Sequence, residues 1–227
     1  MKKRSERYAK AAAQVEHGKR YALPDAIGLM QTLPAPKFDE SVTLCVRLGI
    51  DARKSDQTVR GAFSLPHGIG KSVSVLVFAE GDHADDAKAN GADFVGGADL
   101  AEKIQGGWME FDVAIAHPSM MRVVGKLGKT LGPQGKMPSP KAGTVVEAIE
   151  QAVTEFKAGK IEFRNDAGGN LHALMGKRSF EPDMLKENVE AFLDHIKTLR
   201  PAAAKGNFVL GAHLAATMSP GIELAVA

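Results

Sequence analysis

Three Gly-Lys dipeptides make the strongest claim to chemistry in this chain, because a phosphate loop places its lysine after a glycine, four residues and a second glycine, and follows it with Ser or Thr. None has that spacing. Gly70-Lys71-Ser72 has Leu65 where the first glycine is required, and Gly128-Lys129-Thr130 has Val123 there. Gly135-Lys136 has Thr130 there and Met137 in place of the hydroxyl residue. Gly96-Gly97 lacks the G-x-G-x-x-G order of a dinucleotide site. The seven histidines include no pair at i, i+4, and the single cysteine, Cys45, has no second cysteine for a disulfide or a zinc site. His117 follows an apolar run and precedes Pro118, a position that suits either a catalytic group at a strand end or a turn histidine bonded to backbone. With no G-x-S-x-G elbow either, we expect no enzyme, no catalytic residue, no metal and no cofactor.

Charge points elsewhere. From Gly68 to Gly159 there are nine Lys or Arg against twelve Asp or Glu, while the two ends together hold 20 bases and 15 acids. Neutralisation of phosphates by Lys and Arg drives sequence-independent nucleic-acid affinity, so the ends are where a polyanion is expected. Residues 2 to 20 carry Lys2, Lys3, Arg4, Arg7, Lys10, Lys19 and Arg20 against Glu6 and Glu16, which fits a solvated helix face and a nucleic-acid contact equally. Gly125 to Gly143 holds five glycines, three prolines, four lysines and no acid. No apolar run approaches the roughly 18 residues of a membrane span. The basic start lacks the apolar core of a secretory signal, which together with the lone cysteine points to the cytoplasm.

The elements that would carry these residues follow from periodicity. Ser5 is placed to cap a helix to about Glu16, and Pro24 opens a second with Ala26, Ile27, Met30 and Leu33 on one face. Val42, Leu44, Val46 and Leu48 alternate with Ser41, Thr43, Cys45 and Arg47, and Val59, Phe63 and Leu65 oppose Arg60 and Ser64. That period of two predicts antiparallel strands with one solvated face. Val73 to Ala79 and Phe111 to Ala116 are instead almost continuously apolar, as in parallel strands covered on both faces, with helices between and a helix over Val146 to Phe156. After Gly159, IEFR and LHALM return to alternation around the turn NDAGGN. A helix then places Leu185, Val189, Phe192, Leu193, Ile196 and Leu199 on one stripe, and in the final strand Phe208, Leu210, Ala212, Leu214 and Met218 share a face. The fold class is thus α/β and α+β in two domains. Residues 1–67 and 160–227 form a discontinuous terminal domain with an antiparallel sheet, interrupted by a three-layer α/β domain over 68–159. Gly68, Gly70 and Gly159 at the crossings fit a hinge or ordinary tight turns.

Hydroxyl and basic groups on the polar row (Ser41, Thr43, Arg47), with Phe38 at the sheet entry and Thr217 and Met218 at its edge, suit RNA, which is read by shape, sugar hydroxyls, phosphates and stacking on aromatics. GKLGKTLGPQGKMPSPKAGTV closely resembles the signature of the ribosomal protein L-one family, the large-subunit stalk proteins, most closely in its bacterial form. Further blocks are KFDESVTLCVRLGIDARKSDQTVRGAFSLPHGIGK, GADFVGG, KAGKIEFRND and TMSPG. The resemblance implies a terminal RNA-binding domain, an inserted Rossmann-like domain and a hinge. It implies a structural part of the large ribosomal subunit, monomeric when free and away from membranes. Its partners would be the stalk of large-subunit ribosomal RNA, exit-site tRNA whose release it assists, and its own operon mRNA, whose translation it represses. Carried over by position, the RNA surface comprises Phe38, Ser41, Thr43, Arg47, Arg164, Asn165, Asp166, Gly168, Gly169, Gly211, His213, Thr217, Met218 and Ser219. Secondary RNA or tRNA contacts fall to Arg4, Arg7 and an exposed basic loop with Lys126, Lys129, Lys136 and Lys141. The chain departs from the pattern at Ser219, where glycine is usual, and at Ala167 and Gly168, where lysine and threonine are usual. A serine at 219 either crowds the close approach of RNA or donates a hydrogen bond. In the loop, Gln134 stands where arginine is common and Lys136 where leucine is, so charge is moved rather than lost.

Overall fold

Ser5 opens the first helix by accepting a hydrogen bond from the Tyr8 N–H, in a computed structural model that describes residues 4–225 of the chain. Lys2 and Lys3 of the basic start lie outside the described residues. Helix α1 covers Glu6–Gln14 and α2 covers Leu23–Thr32, where Pro24 occupies the first turn and Ala26, Ile27 and Met30 are buried. Strands β1 (Ser41–Leu48) and β2 (Arg60–Ser64) follow. The middle of the chain reads β3 (Val75–Phe78), α3 (Asp82–Ala89), β4 (Phe94–Gly96), α4 (Ala98–Gln105) and β5 (Val113–Ala116). It continues with the short helices α5 (Met121–Val124) and α6 (Gly128–Leu131), then α7 (Ile149–Ala158). The return segment holds β6 (Lys160–Arg164), β7 (Asn170–Lys177), α8 (Pro182–Thr198), β8 (Val209–Ala216) and β9 (Ile222–Leu224).

Two compact units result: one of the residues up to Gly70 and from Ile161 on, the other of Lys71–Lys160. In the first, β1 is central to an antiparallel sheet of order β7-β1-β8-β9. Val42, Leu44, Val46 and Leu48 are buried, and α2 and α8 pack on the sheet. Leu185, Val189, Phe192 and Ile196 of α8 face this core. Each such apolar side chain contributes about 1.5–3 kcal/mol when fully buried, which is why a strict alternation in sequence becomes a strict face in space. Asn188 is fully buried on the same helix because its amide is used up: it accepts from the His67 N–H at 3.0 Å and donates to the carbonyls of Gly68 (3.1 Å) and Met175 (2.8 Å).

In the second unit, β4-β3-β5 form a parallel sheet whose central strand is buried at every position. Its core includes Leu76, Phe78, Ile104, Phe111, Leu127 and Leu131. The mixed class expected from the two kinds of strand pattern is therefore what the chain adopts.

Four local expectations are corrected. Strand β2 does not enter the main sheet but pairs with β6 in a separate two-stranded one, because both edges of β1 are already taken by β7 and β8. Leu210 and Met218 do not share the buried face of β8: Arg47 pairs with Gly211 but Leu48 pairs with Val209, so Leu210 is the extra residue of a bulge and is 50% exposed, and Met218 lies past the strand's end at Ala216, 49% exposed. Helix α7 starts at Ile149 rather than Val146, since Val145 bridges Ala116 in parallel and the Val146 N–H donates to the Ala116 carbonyl. The stretch from Gly125 is not simply a loop. Helical turns at Gly125–Leu127 and Gly128–Leu131 bury Leu127 and Leu131 completely, and a third lies at Pro140–Ala142.

Candidate nucleic-acid interface

The unburied residues of β1 define one open face of the antiparallel sheet. Thr43 and Arg47 are exposed and Cys45 is half-buried. Register sets their neighbours: Cys45 lies opposite His172 on β7 and His213 on β8, Arg47 opposite Asn170 and Gly211, and His213 opposite Glu223 on β9. His172 and His213 are exposed. Thr43 Oγ1 donates to the Ala215 carbonyl at 3.2 Å, so its hydroxyl oxygen remains an acceptor. Burial pushes the Cys45 thiol up, which keeps it protonated and suits packing rather than nucleophilic attack.

At one end of this face Phe38 and Met218 stand 53% and 49% exposed. Met218 is held in place by a buried charge pair. Glu40, fully buried, accepts from Arg178 Nη1 at 2.6 Å on one oxygen and from the Met218 N–H at 2.8 Å on the other. Arg178 also donates to the carbonyls of Gln31 and Leu33. Thr217 closes the strand end: its N–H and hydroxyl both donate to the Ser41 carbonyl, at 3.1 and 3.2 Å, and its hydroxyl accepts from the Ser41 N–H at 3.1 Å. Lys177 Nζ donates to Ser41 Oγ at 3.1 Å. Ser219 is bonded within its own turn. Its hydroxyl accepts from the Ala216 N–H at 2.9 Å and lies within donating distance of the carbonyls of Ala216 and Pro220, bracing the turn that presents Met218.

The other end carries the turn after β6. Arg164 is exposed there, but Asn165 is buried, with Oδ1 accepting from the Val59 N–H at 2.8 Å and Nδ2 donating to the Asp166 carbonyl. Expected as an RNA contact, Asn165 is occupied in joining the turn to the chain before β2. Asp166 accepts from the N–H groups of Asn170 (2.7 Å) and Gly168 (2.8 Å), and these bonds, with the Asn170 amide, hold its carboxyl below the ordinary carboxylate value. Gly169 supplies the left-handed backbone of the turn, at φ 78°, and its carbonyl accepts from the Leu48 N–H.

Of the secondary candidates, Arg4 is exposed with its guanidinium over the Tyr8 ring, 4.3 Å from the centroid. Arg7 is engaged internally, donating to the carbonyls of Pro34 (2.9 Å) and Met218 (2.7 Å). Lys126, Lys129 and Lys141 are exposed. Lys136 differs from expectation: its ammonium donates to the carbonyls of Met109 and Phe111 and lies over the Phe111 ring, where it ties its segment to the inserted unit's core. Gly68, Gly70 and Gly159 all have positive φ. At Gly70 a Cβ would run into the Phe180 ring, so glycine is required there. His117 accepts from the Ser119 N–H, making it a turn cap, and stacks on His83 at 4.6 Å.

Residues missed by the sequence reading are Glu40, Arg178 and Lys177, which position the platform, and Asn170 and His172, which lie on the face. The last two were within reach, since they alternate with buried Leu171, Ala173 and Met175. Among the described residues no group of three His, Cys, Asp or Glu is arranged to hold a metal, and no helix is long and apolar enough to cross a membrane.

Comparison with known proteins finds clear relatives. The model of the Ribosomal protein L1p/L10e family matches residues 29–220. A protein named large ribosomal subunit protein uL1 from Kosmotoga olearia is 53% identical over 224 residues, covering 99% of this chain and 97% of that one. Proteins of the same name from Fervidobacterium nodosum (53% over 225 residues; 99% and 96%) and Thermosipho africanus (52% over 225 residues; 99% and 97%) are similarly related.

Proposed function

The chain belongs to the Ribosomal protein L1p/L10e family, a family of structural proteins and not of enzymes, and from that premise we propose that it is a constituent of the large ribosomal subunit that binds ribosomal RNA through its open antiparallel sheet. The observation that carries this reading is the face itself: Thr43, Arg47, His172 and His213 stand on it, and it ends at the exposed Phe38 and Met218. An antiparallel sheet leaves one face free for such groups, and exposed apolar side chains at its rim provide surfaces on which unstacked bases rest.

In this reading the RNA is the stalk of the large-subunit ribosomal RNA, and the operon mRNA is bound by the same face when it folds alike, which represses translation. The exposed Lys126, Lys129 and Lys141 of the inserted unit then serve the exit-site tRNA, whose release the protein assists. The free protein is a cytoplasmic monomer. A swing at the crossings marked by Gly68, Gly70 and Gly159 belongs to the same proposal, and a small-angle scattering profile that is identical with and without RNA would refute it.

Filter binding with a stalk fragment of ribosomal RNA tests the central point. Removing Phe38 and Met218 together by alanine substitution should weaken binding by about 1–3 kcal/mol for each stacked base lost. Unchanged affinity in the double variant would reject the platform as the RNA site.

A further inference from the structure

We propose that a basic pocket beside the start of β8 binds an RNA phosphate. The inference rests on the reading of the open face as an RNA surface and extends that surface around an edge. The pocket, of about 540 Å³, is lined by Arg20, Lys197 and Arg200 around Phe208 and the bulge residue Leu210.

Three cations reach it from separate places: Arg20 from the segment before α2, Lys197 from the last turn of α8, and Arg200 from just past that helix. Each is oriented by the protein. Arg20 Nε donates to Glu223 at 3.0 Å, Lys197 Nζ to Asp194 at 3.3 Å, and one Arg200 nitrogen donates to the carbonyls of Ala204 (3.2 Å) and Gly206 (2.9 Å). A guanidinium has five N–H groups in a fixed fork, so both arginines keep donors that match phosphate oxygens. Three cations against the two partner carboxylates leave the cluster at +1.

Position selects the ligand. Arg20 is bonded to Glu223, and Glu223 pairs with His213, which stands on the open face. A strand spacing of about 4.8 Å is all that separates neighbouring strands, so an RNA backbone lying over β8 needs to cross only β9 to reach Arg20. The 50% exposed Leu210 gives the pocket an apolar rim against which a ribose packs. Continuity with the face, fixed guanidinium forks and an apolar rim together fit a phosphodiester chain better than an isolated anion.

The test is filter binding of the stalk RNA fragment across a salt series, comparing the intact protein with a variant carrying Arg20→Gln and Lys197→Gln. Both side chains are largely exposed, so folding is not at stake. One lost phosphate contact lowers the slope of log affinity against log salt by about 0.7–0.9. Lys197→Arg alone should keep the slope of the intact protein. An unchanged slope in the double variant, while alanine at Phe38 and Met218 still weakens binding, overturns the pocket and leaves the sheet face standing. Failure of the intact protein to bind the fragment at all overturns both.

Discussion

The two sheets of this molecule solve opposite problems. The parallel sheet of the inserted unit has its central strand buried at all four positions, so that strand has no side chain left over for a partner. In the antiparallel sheet every second residue of β1 is excluded from the core, and the excluded row is hydroxyl, thiol and guanidinium. The proposed recognition accordingly falls where the fold leaves residues free. Charge pairing differs in the same sense. Lys71–Asp112 and Lys157–Asp93 of the inserted unit are partly exposed pairs of the kind worth about 0–1 kcal/mol, whereas Arg178–Glu40 of the terminal unit is buried and underlies the platform.

The sharpest way to break this contrast is Arg178→Met. It leaves Glu40 buried without its cation and should cost about 3–5 kcal/mol of terminal-unit stability in chemical denaturation, with RNA affinity lost as Met218 is released. A cost under 1 kcal/mol would place the pair among the ordinary surface ones. Next in size is Leu127→Ala, which opens a cavity in the inserted unit and should cost about 2–5 kcal/mol there. Its RNA affinity, measured below the unfolding range, should match that of the intact protein; a parallel fall in affinity would mean that the inserted unit takes part in anchoring.

The smallest effect concerns pH. His195 of α8 stacks on Phe63 at 4.6 Å, and burial lowers its pKa below the ordinary 6.5. The unfolded chain therefore binds the proton first, and this contribution to stability, full above pH 6.5, is lost as pH falls toward and through the lower folded value. His195→Phe should flatten that part of the stability profile, and an unaltered slope would show that the imidazole titrates as it does in the unfolded chain. The acid end is separate. Asp166, held down first by the Asn170 N–H, contributes stability that is present above its unfolded value near 3.8 and disappears below it.

Much of this was legible in residue order because burial has a period. The apolar row of β1, the stripe of α8 and the continuous runs of β3 and β5 each report their environment within a dozen residues. The exposure of Phe38 at the sheet entry was legible, but what holds Met218 was not. Glu40 and Arg178 meet across 138 residues of sequence, and neither stands in a pattern that names the other. The bulge at Leu210 escaped for the same reason, since an unbroken alternation in sequence does not reveal that the partner strand has slipped by one residue. Lys136 shows the converse error: composition made it a surface cation, while two backbone carbonyls made it a tether.

The central position of β1 has a consequence in time. Both of its neighbours, β7 and β8, come from the far side of the inserted unit, and β8 ends at Ala216. On a translating ribosome, β1 emerges some 168 residues before its last partner (216 − 48), a wait on the order of ten to thirty seconds at typical synthesis rates. The residues of the inserted unit, Lys71–Lys160, are all made in the interval. The sheet face therefore comes into being only once β8 has been made, so a nascent product that stops short of it lacks the face on which the proposed RNA contact rests.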